Sequence, residues 1–210
     1  MELSIDTSQL KSLSKAMKEF PDVAKKALPA AINRTVSTVN TKMQKEITTR
    51  YKLKKSDLSG GNRYKGEKSN NLIKLKKASV QDPSGNINVR GGTLTLSRFL
   101  QLPKSPVPVK GKTKKSIQKI KPPKVQVKRG GTKPVKGTFV LKANGTTGIF
   151  TRDENGKLRM LRTLSAAQMA SNKEVLKVVE ETAGETLQQR FEHEMEYRIN
   201  KLAGGVNGSS

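Results

Sequence analysis

Apolar residues recur at helical spacing near both ends of the chain and at alternating positions in its middle. Between Asp22 and Tyr51, Ile32, Val36, Val39, Met43 and Ile47 step by four, three, four and four residues, as one buried helical face does. The positions between them are mostly Thr, Asn, Ser, Lys and Gln, so the spacing predicts a long helix with a single buried stripe. Ahead of it, Ser8–Phe20 reads as a short amphipathic helix with Leu10, Leu13, Met17 and Phe20 on its inner face. Pro21 breaks that helix or opens the next, because proline is tolerated in a first turn. Pro29, inside the long pattern, is expected to kink or restart the helix.

The middle of the chain is β in character. Leu72–Val80 and Ile87–Val89 flank QDPSGN, whose Asp, Pro, Ser and Gly favour turns. TLTL (Thr93–Leu96) and KVQVK (Lys124–Lys128) alternate with period two. GTFVLK (Gly137–Lys142) and TGIFTR (Thr147–Arg152) flank an Asn144-Gly145 turn signal, and Leu158–Arg162 follows a second turn, DENGK. Together these predict roughly five or six short strands, antiparallel because their links are too short for crossovers. From Ser165 the helical pattern returns, first as a short turn over Ala166–Ala170. A longer helix follows, capped by Asn172, with Val175, Val178 or Val179, Thr182, Thr186, Gln189 and His193 inward. Gly204-Gly205 is expected to end it, leaving 204–210 as a flexible tail. The expected fold class is α+β in one domain over 1–210. Long N-terminal helices (1–58) and a C-terminal helix (165–203) pack on a small antiparallel sheet (70–162).

Composition changes this picture in one respect. At 33% hydrophobic and 4% aromatic, with no Trp, a single copy has little to bury, so neighbouring subunits are expected to complete the packing. Zero cysteines remove disulfides, thiolate nucleophiles and most structural zinc sites. No apolar run is long enough to span a membrane, and the first residues lack a signal peptide's pattern, so a soluble protein made in the cytosol is expected.

Charge changes it more. The net charge of +25 asks for an anionic partner. Between Asp82 and Asp153 there is no acid and there are 16 Lys and Arg, whereas Lys173–Leu202 holds seven glutamates against five Lys and Arg. Within the cationic interval, 103–136 carries Lys110, Lys112, Lys114, Lys115, Lys119, Lys121, Lys124, Lys128 and Arg129. A run of like charge is ordinarily a solvated, disordered tail. This one is internal, has strands predicted on each side, and contains the period-two pairs Val107/Val109 and Val125/Val127. Its prolines favour extended conformations, so an extended, basic, Pro/Lys-rich arm is predicted. With few arginines and no aromatics, contact with nucleic acid would be to the backbone and independent of sequence. An acidic protein surface fits the same residues about as well.

No catalytic constellation emerges, so no enzyme, cofactor or metal is expected. The single histidine, His193, sits in a glutamate-rich helix and reads as an ordinary helix residue. RGGT near Gly91 and Gly130 matches no Walker or dinucleotide pattern and reads as turns, as does ENGK at Glu154–Lys157.

PAAINRTVSTVNTKMQKEITTRYKLKKSDL (Pro29–Leu58) resembles the N-terminal helix and following basic segment of the minor tail protein Z family of lambda-like tailed phages and prophages. LIKLKKASVQDPSGNINVRGGTLTLSRF (Leu72–Phe99) is similar to that family's hairpin. KVQVKRGGTKPVKGTFVLKANGTTGIFTR (Lys124–Arg152) is similar to its next block of strands. The stretch LRMLRTLSAAQM departs from the family's pattern, which has LPI and then Gly-Pro. The resemblance implies a virion structural protein, a tail-completion subunit at the tail end or neck that helps to join tail to head. It implies no catalytic residues. Positions matching its pattern read as architectural: Asn33 and Arg34 capping or pairing across a helix, Gly137 permitting a turn, and Phe139 and Phe150 packing a sheet beside Arg152. The partners implied are sister copies in a ring, a hexamer by analogy with tail symmetry, with tail-tube or terminator and head-connector proteins. Genomic DNA is a possible non-specific contact. Two alternatives stand beside this reading: a sequence-independent nucleic-acid-binding protein, and a minor tail protein placed elsewhere on the tail.

Overall fold

The computed structural model describes residues 1–5, 7, 10, 12–58, 72–102, 122–143 and 146–206. Helix α1 (Leu13–Glu19) is followed at once by α2 (Pro21–Arg50), whose 30 residues span about 45 Å. The predicted stripe of α2 is its core: Ile32, Val36, Val39, Met43 and Ile47 are each at most 1% exposed. The Ser and Thr residues that dilute this helix do not break it, because their hydroxyls bond back one turn. Thr35 Oγ1 donates to Ala31 O (2.9 Å), Ser37 Oγ to Asn33 O (3.0 Å) and Thr41 Oγ1 to Ser37 O (3.1 Å). Contrary to the expected restart, α2 runs on through Pro29. The proline removes one ladder bond, but its ring and the neighbouring Ala27, Ala31 and Ile32 are all buried, and that packing offsets the loss.

The expected inner face of α1 is corrected. Leu10 is buried just ahead of the helix, but Met17 and Phe20 stay 39% and 42% exposed. A helix of two turns rests on its neighbours through a narrow edge, here Leu13 and Ala16. A short α3 (Lys55–Leu58) follows α2 and buries Leu58.

The strands are more numerous than predicted and form four small antiparallel sheets among the described residues, not one. β1 (Glu2–Ser4), β2 (Ile73–Lys76) and β3 (Asn86–Val89) form the first, in the order β1-β3-β2. β4 (Thr93–Thr95) leads through a 3-10 turn (Leu96–Phe99) into β5 (Leu100–Leu102). β5 pairs with β6 (Lys124–Val125), and β6 with β7 (Lys133–Pro134). β8 (Phe139–Ala143), β9 (Thr146–Arg152) and β10 (Leu158–Met160) make a meander. β11 (Arg162–Ser165) returns to pair with β4. Leu161 is the switch point between β10 and β11: its N–H continues the pairing with β9 by donating to Ile149 O (2.8 Å), while its carbonyl accepts from Leu96 N (3.0 Å), at the end of β4. KVQVK is cut to two strand residues because the backbone changes partner within it. Gln126 N donates to Phe99 O (2.9 Å), whereas Val127 O accepts from Lys52 N (2.9 Å) and Lys128 bridges Tyr51, before the chain turns at Gly130, where φ is 97°.

After β11 come α4 (Ala166–Ala170) and α5 (Lys173–Val206). Ser165 and Gln168 form a reciprocal capping box on α4, and Asn172 Oδ1 accepts from Glu174 N (3.0 Å) where α5 begins. The inner face of α5 begins as expected, at Val175 and Val179, and departs from the expected one beyond them. Val175, Val179, Leu187, Phe191 and Met195 are buried with half-buried Ala183 between them, while Gln189 and His193 are exposed. The buried row steps by four at every position, whereas the expected face alternated threes and fours. α2 buries a matching row, Ala27, Ala31, Thr35, Val39, Met43 and Ile47. Rows of this kind slant across a helix and interlock with one another. The helix also passes through Gly204 and Gly205 to Val206, since a glycine there costs about 1 kcal/mol and does not forbid helix.

α2 and α5 are antiparallel partners. Arg50 Nε lies 3.0 Å from Glu174 Oε2, Arg34 Nη2 3.0 Å from Glu194 Oε1, and Arg198 Nη2 donates to Lys26 O at 3.2 Å. On another side of α2 the first sheet packs through a close approach. Gly85 has no room for a side chain: a Cβ there would overlap Ile32 Cγ2 and lie 2.8 Å from Val36 Cγ2. The fold is thus α+β, with two long helices as its spine.

Candidate functional site

Three of the predicted partner contacts lie among the described residues, at the C-terminal end of α2. The last turn of that helix leaves carbonyls without intrahelical donors. Arg129 supplies two: its Nε donates to Thr48 O and its backbone N to Arg50 O, both at 2.8 Å. A guanidinium at this end also opposes the negative pole of the helix. Arg129 therefore docks the β6–β7 loop onto α2, a structural task that the composition of its segment did not reveal. Lys128 bridges Tyr51, and Lys52 N donates to Val127 O (2.9 Å). Lys124 sits in β6 between Leu102 and Pro134. Lys52, Lys54, Lys124, Lys128 and Lys133 are all exposed, which makes this end of the molecule cationic. Lys110, Lys112, Lys114, Lys115, Lys119 and Lys121, with the arm predicted from them, lie outside the described residues.

The root of that segment is described. Leu102 faces Lys124 across the β5–β6 pair, so both ends of 103–121 leave from one place. Lys52 Nζ donates to Gln101 Oε1 (2.6 Å) and ties this root to the end of α2.

The positions matched to the family pattern each have a definite place. Asn33 reaches from α2 to the chain beyond β2, where Nδ2 donates to Ala78 O (2.9 Å) and Oδ1 accepts from Ala78 N (2.8 Å). One side-chain amide thereby satisfies both polar groups of a backbone position. Arg34 and Arg198 converge on Glu194, whose side chain is 5% exposed. Gly137 has φ 69°, the left-handed turn that leads into β8. Phe139 and Phe150 are Cα partners across β8 and β9, and the Arg152 guanidinium lies 5.9 Å from the Phe139 ring centroid.

Sequence reasoning missed three features. β1 pairs with β3, and the terminal ammonium donates to Val89 O (3.0 Å). Glu194 is buried although it belongs to the acid-rich stretch 173–202; the signal for it was its place one turn beyond Phe191. The third is a groove between α1 and α5, of about 380 Å³, floored by apolar residues and rimmed by glutamates.

Among the described residues, two charged groups depart from their ordinary ionisation. Hydrogen bonds to Glu174 and then to Glu46 hold Arg50 above the usual arginine range. Hydrogen bonds from Lys76 Nζ (2.8 Å) and then Ser84 Oγ (2.6 Å) hold the Asp82 carboxyl below the usual carboxylate range. No helix among the described residues is long and apolar enough to cross a membrane.

The family model of prophage minor tail protein Z matches residues 7–203, from ahead of α1 almost to the end of α5. The chain is a member of the minor tail protein Z family. No curated protein and no solved structure matches it. Membership makes this a bacteriophage tail structural protein, located in the virion, from a family that is not a known family of enzymes. The match takes in α1, α2, every described strand but β1 and nearly all of α5, including the LRMLRTLSAAQM stretch that departs from the family's pattern.

Proposed function

We propose that this minor tail protein completes the tail. It forms a ring of identical subunits, a hexamer by analogy with tail symmetry, at the end of the tail tube or in the neck, and helps to join tail to head. The observation that carries the reading is the family match over 7–203. The charge supports it, because a subunit seated where the genome or an acidic ring passes benefits from a cationic face. Among the described residues that face is the end of α2 with Lys124, Lys128 and Lys133, and the sequence of 103–121 adds seven lysines. Its neighbours in this reading are tube or terminator proteins on one side and the head connector on the other. Contact with DNA is through phosphates and carries no sequence preference.

Imaging virions that carry a C-terminal label tests the placement: label is expected at the head-proximal end of the tail, and label confined to the distal tip overturns it. Changing Lys112, Lys114, Lys115, Lys119 and Lys121 to Gln is expected to leave helix content intact and to lower the yield of infectious particles. Unaltered particles from that variant would make the charge of the stretch incidental. A monomer that binds duplex DNA tightly with a steep salt slope would instead favour a DNA-coating role.

A further inference from the structure

We propose that the groove between α1 and α5 of one copy receives the 103–121 segment of a second copy. This rests on the ring reading and says how its subunits are joined. The groove floor is Ala16, Phe20, Phe191, Met195 and Ile199. Phe20 is 42% exposed there, a large apolar side chain that nothing among the described residues covers. Glu19, Glu192 and Glu196 stand around the floor against one cation, Lys15, whose Nζ is 3.9 Å from Glu19. Glu192 also accepts a hydrogen bond from Gln188 Nε2. The groove therefore suits a ligand that is apolar along its inner edge and cationic at its sides.

The 103–121 segment has that pattern. Val107, Val109, Ile117 and Ile120 are set among seven lysines with no acid. Pro106 and Pro108, on either side of Val107, lack the N–H groups that strand addition needs, so side-chain docking into a groove is the mode left to this part. Because both ends of the segment leave from the Leu102–Lys124 pair, its roughly 20 residues doubled back reach about 30 Å.

Placement selects a second copy as the source. The root is tied to the C-terminal end of α2 by Lys52 and Gln101. The groove belongs to the far half of α5, which Arg198 ties to Lys26 near the N-terminal end of α2. Root and groove thus lie toward opposite ends of a helix about 45 Å long. Their union joins unlike surfaces of two copies, a head-to-tail contact of the kind that builds closed rings.

Because the chain has no cysteine, Val109→Cys and Asn200→Cys each carry a single thiol, the second at the groove. The two full-length variants are mixed, oxidised mildly and resolved without reductant, with mass followed by light scattering. The expected result is a disulfide between the two variants that exceeds both homodimers. Adding Glu192→Lys and Glu196→Lys to the Asn200→Cys chain is expected to lower the yield about tenfold while the circular dichroism spectrum stays the same. Oligomers that form without this cross-link overturn the groove assignment and leave the ring standing. A disulfide formed only within single chains of a Val109→Cys/Asn200→Cys double variant overturns the second-copy assignment. Monomers that never cross-link overturn ring and groove together.

Discussion

Replacing Glu194 with glutamine keeps the shape of the side chain and removes the charge that two arginines share. The carboxylate lies 3.0 Å from Arg34 and 3.3 Å from Arg198, with its side chain 5% exposed. Removing one partner of a buried ion pair costs about 3–5 kcal/mol, because the other charge is left without compensation. Here the figure is discounted. Arg34 is 53% exposed in its side chain and regains water, whereas Arg198, 27% exposed, regains less. A loss of about 2–3 kcal/mol is expected, which for a chain of this size lowers Tm by roughly 5–10 °C. Urea unfolding followed by circular dichroism should show a lower midpoint at an unchanged slope. A double-mutant cycle with Arg198→Met should give a larger coupling than one with Arg34→Met, since the better buried partner has less water to return to. A loss below about 0.5 kcal/mol for Glu194→Gln would show that the α2–α5 spine does not depend on this cluster.

Three further outcomes follow from the geometry. Gly85→Ala should cost about 1–3 kcal/mol by overpacking against Ile32 and Val36, and a Tm equal to that of the parent would contradict the close approach of sheet to helix. Asn33→Ala strands both polar groups of Ala78 and should cost about 2–4 kcal/mol, with faster hydrogen exchange at Ala78 as the specific readout. The depressed Asp82 carboxyl contributes its stabilisation above the ordinary aspartate range, near pH 4, and loses it as pH falls through the lower folded value. An NMR titration should therefore place its midpoint below that of a model aspartate, and Lys76→Met should move the midpoint up. A midpoint at or above the model value would dispose of the Lys76 contact.

The long helix was legible because one strong stripe, Ile32 through Ile47, survives a diluted, Ser/Thr-rich background. The class of fold and the strand-rich middle were legible for the same reason of period. What escaped depended on partners distant in sequence. Which face of α5 turns inward is decided by the matching row on α2, and no count along α5 alone separates Val179 from Val178. The division into four sheets depends on where single backbone groups go, as at Leu161, whose N–H stays with β9 while its carbonyl accepts from Leu96. At the candidate surface, charge density alone could not divide the labour of its cations. Arg129 belongs to the end of α2, whereas Lys124 and Lys128 remain on the outside. The groove was invisible because Phe20 and Phe191 come from segments far apart in the chain.

The pairing of Leu102 with Lys124 separates the length of the intervening segment from the durability of the body that carries it. A loop closed at a fixed root becomes costlier only slowly as it lengthens, by about 0.6 kcal/mol for each doubling. Insertions near Lys112 should then alter how far the segment extends while leaving the spine untouched. In the docking proposed above, the dimension that constrains that length is the gap between one molecule and the next. A graded series of spacers placed there would act as a ruler for that gap inside the assembled particle.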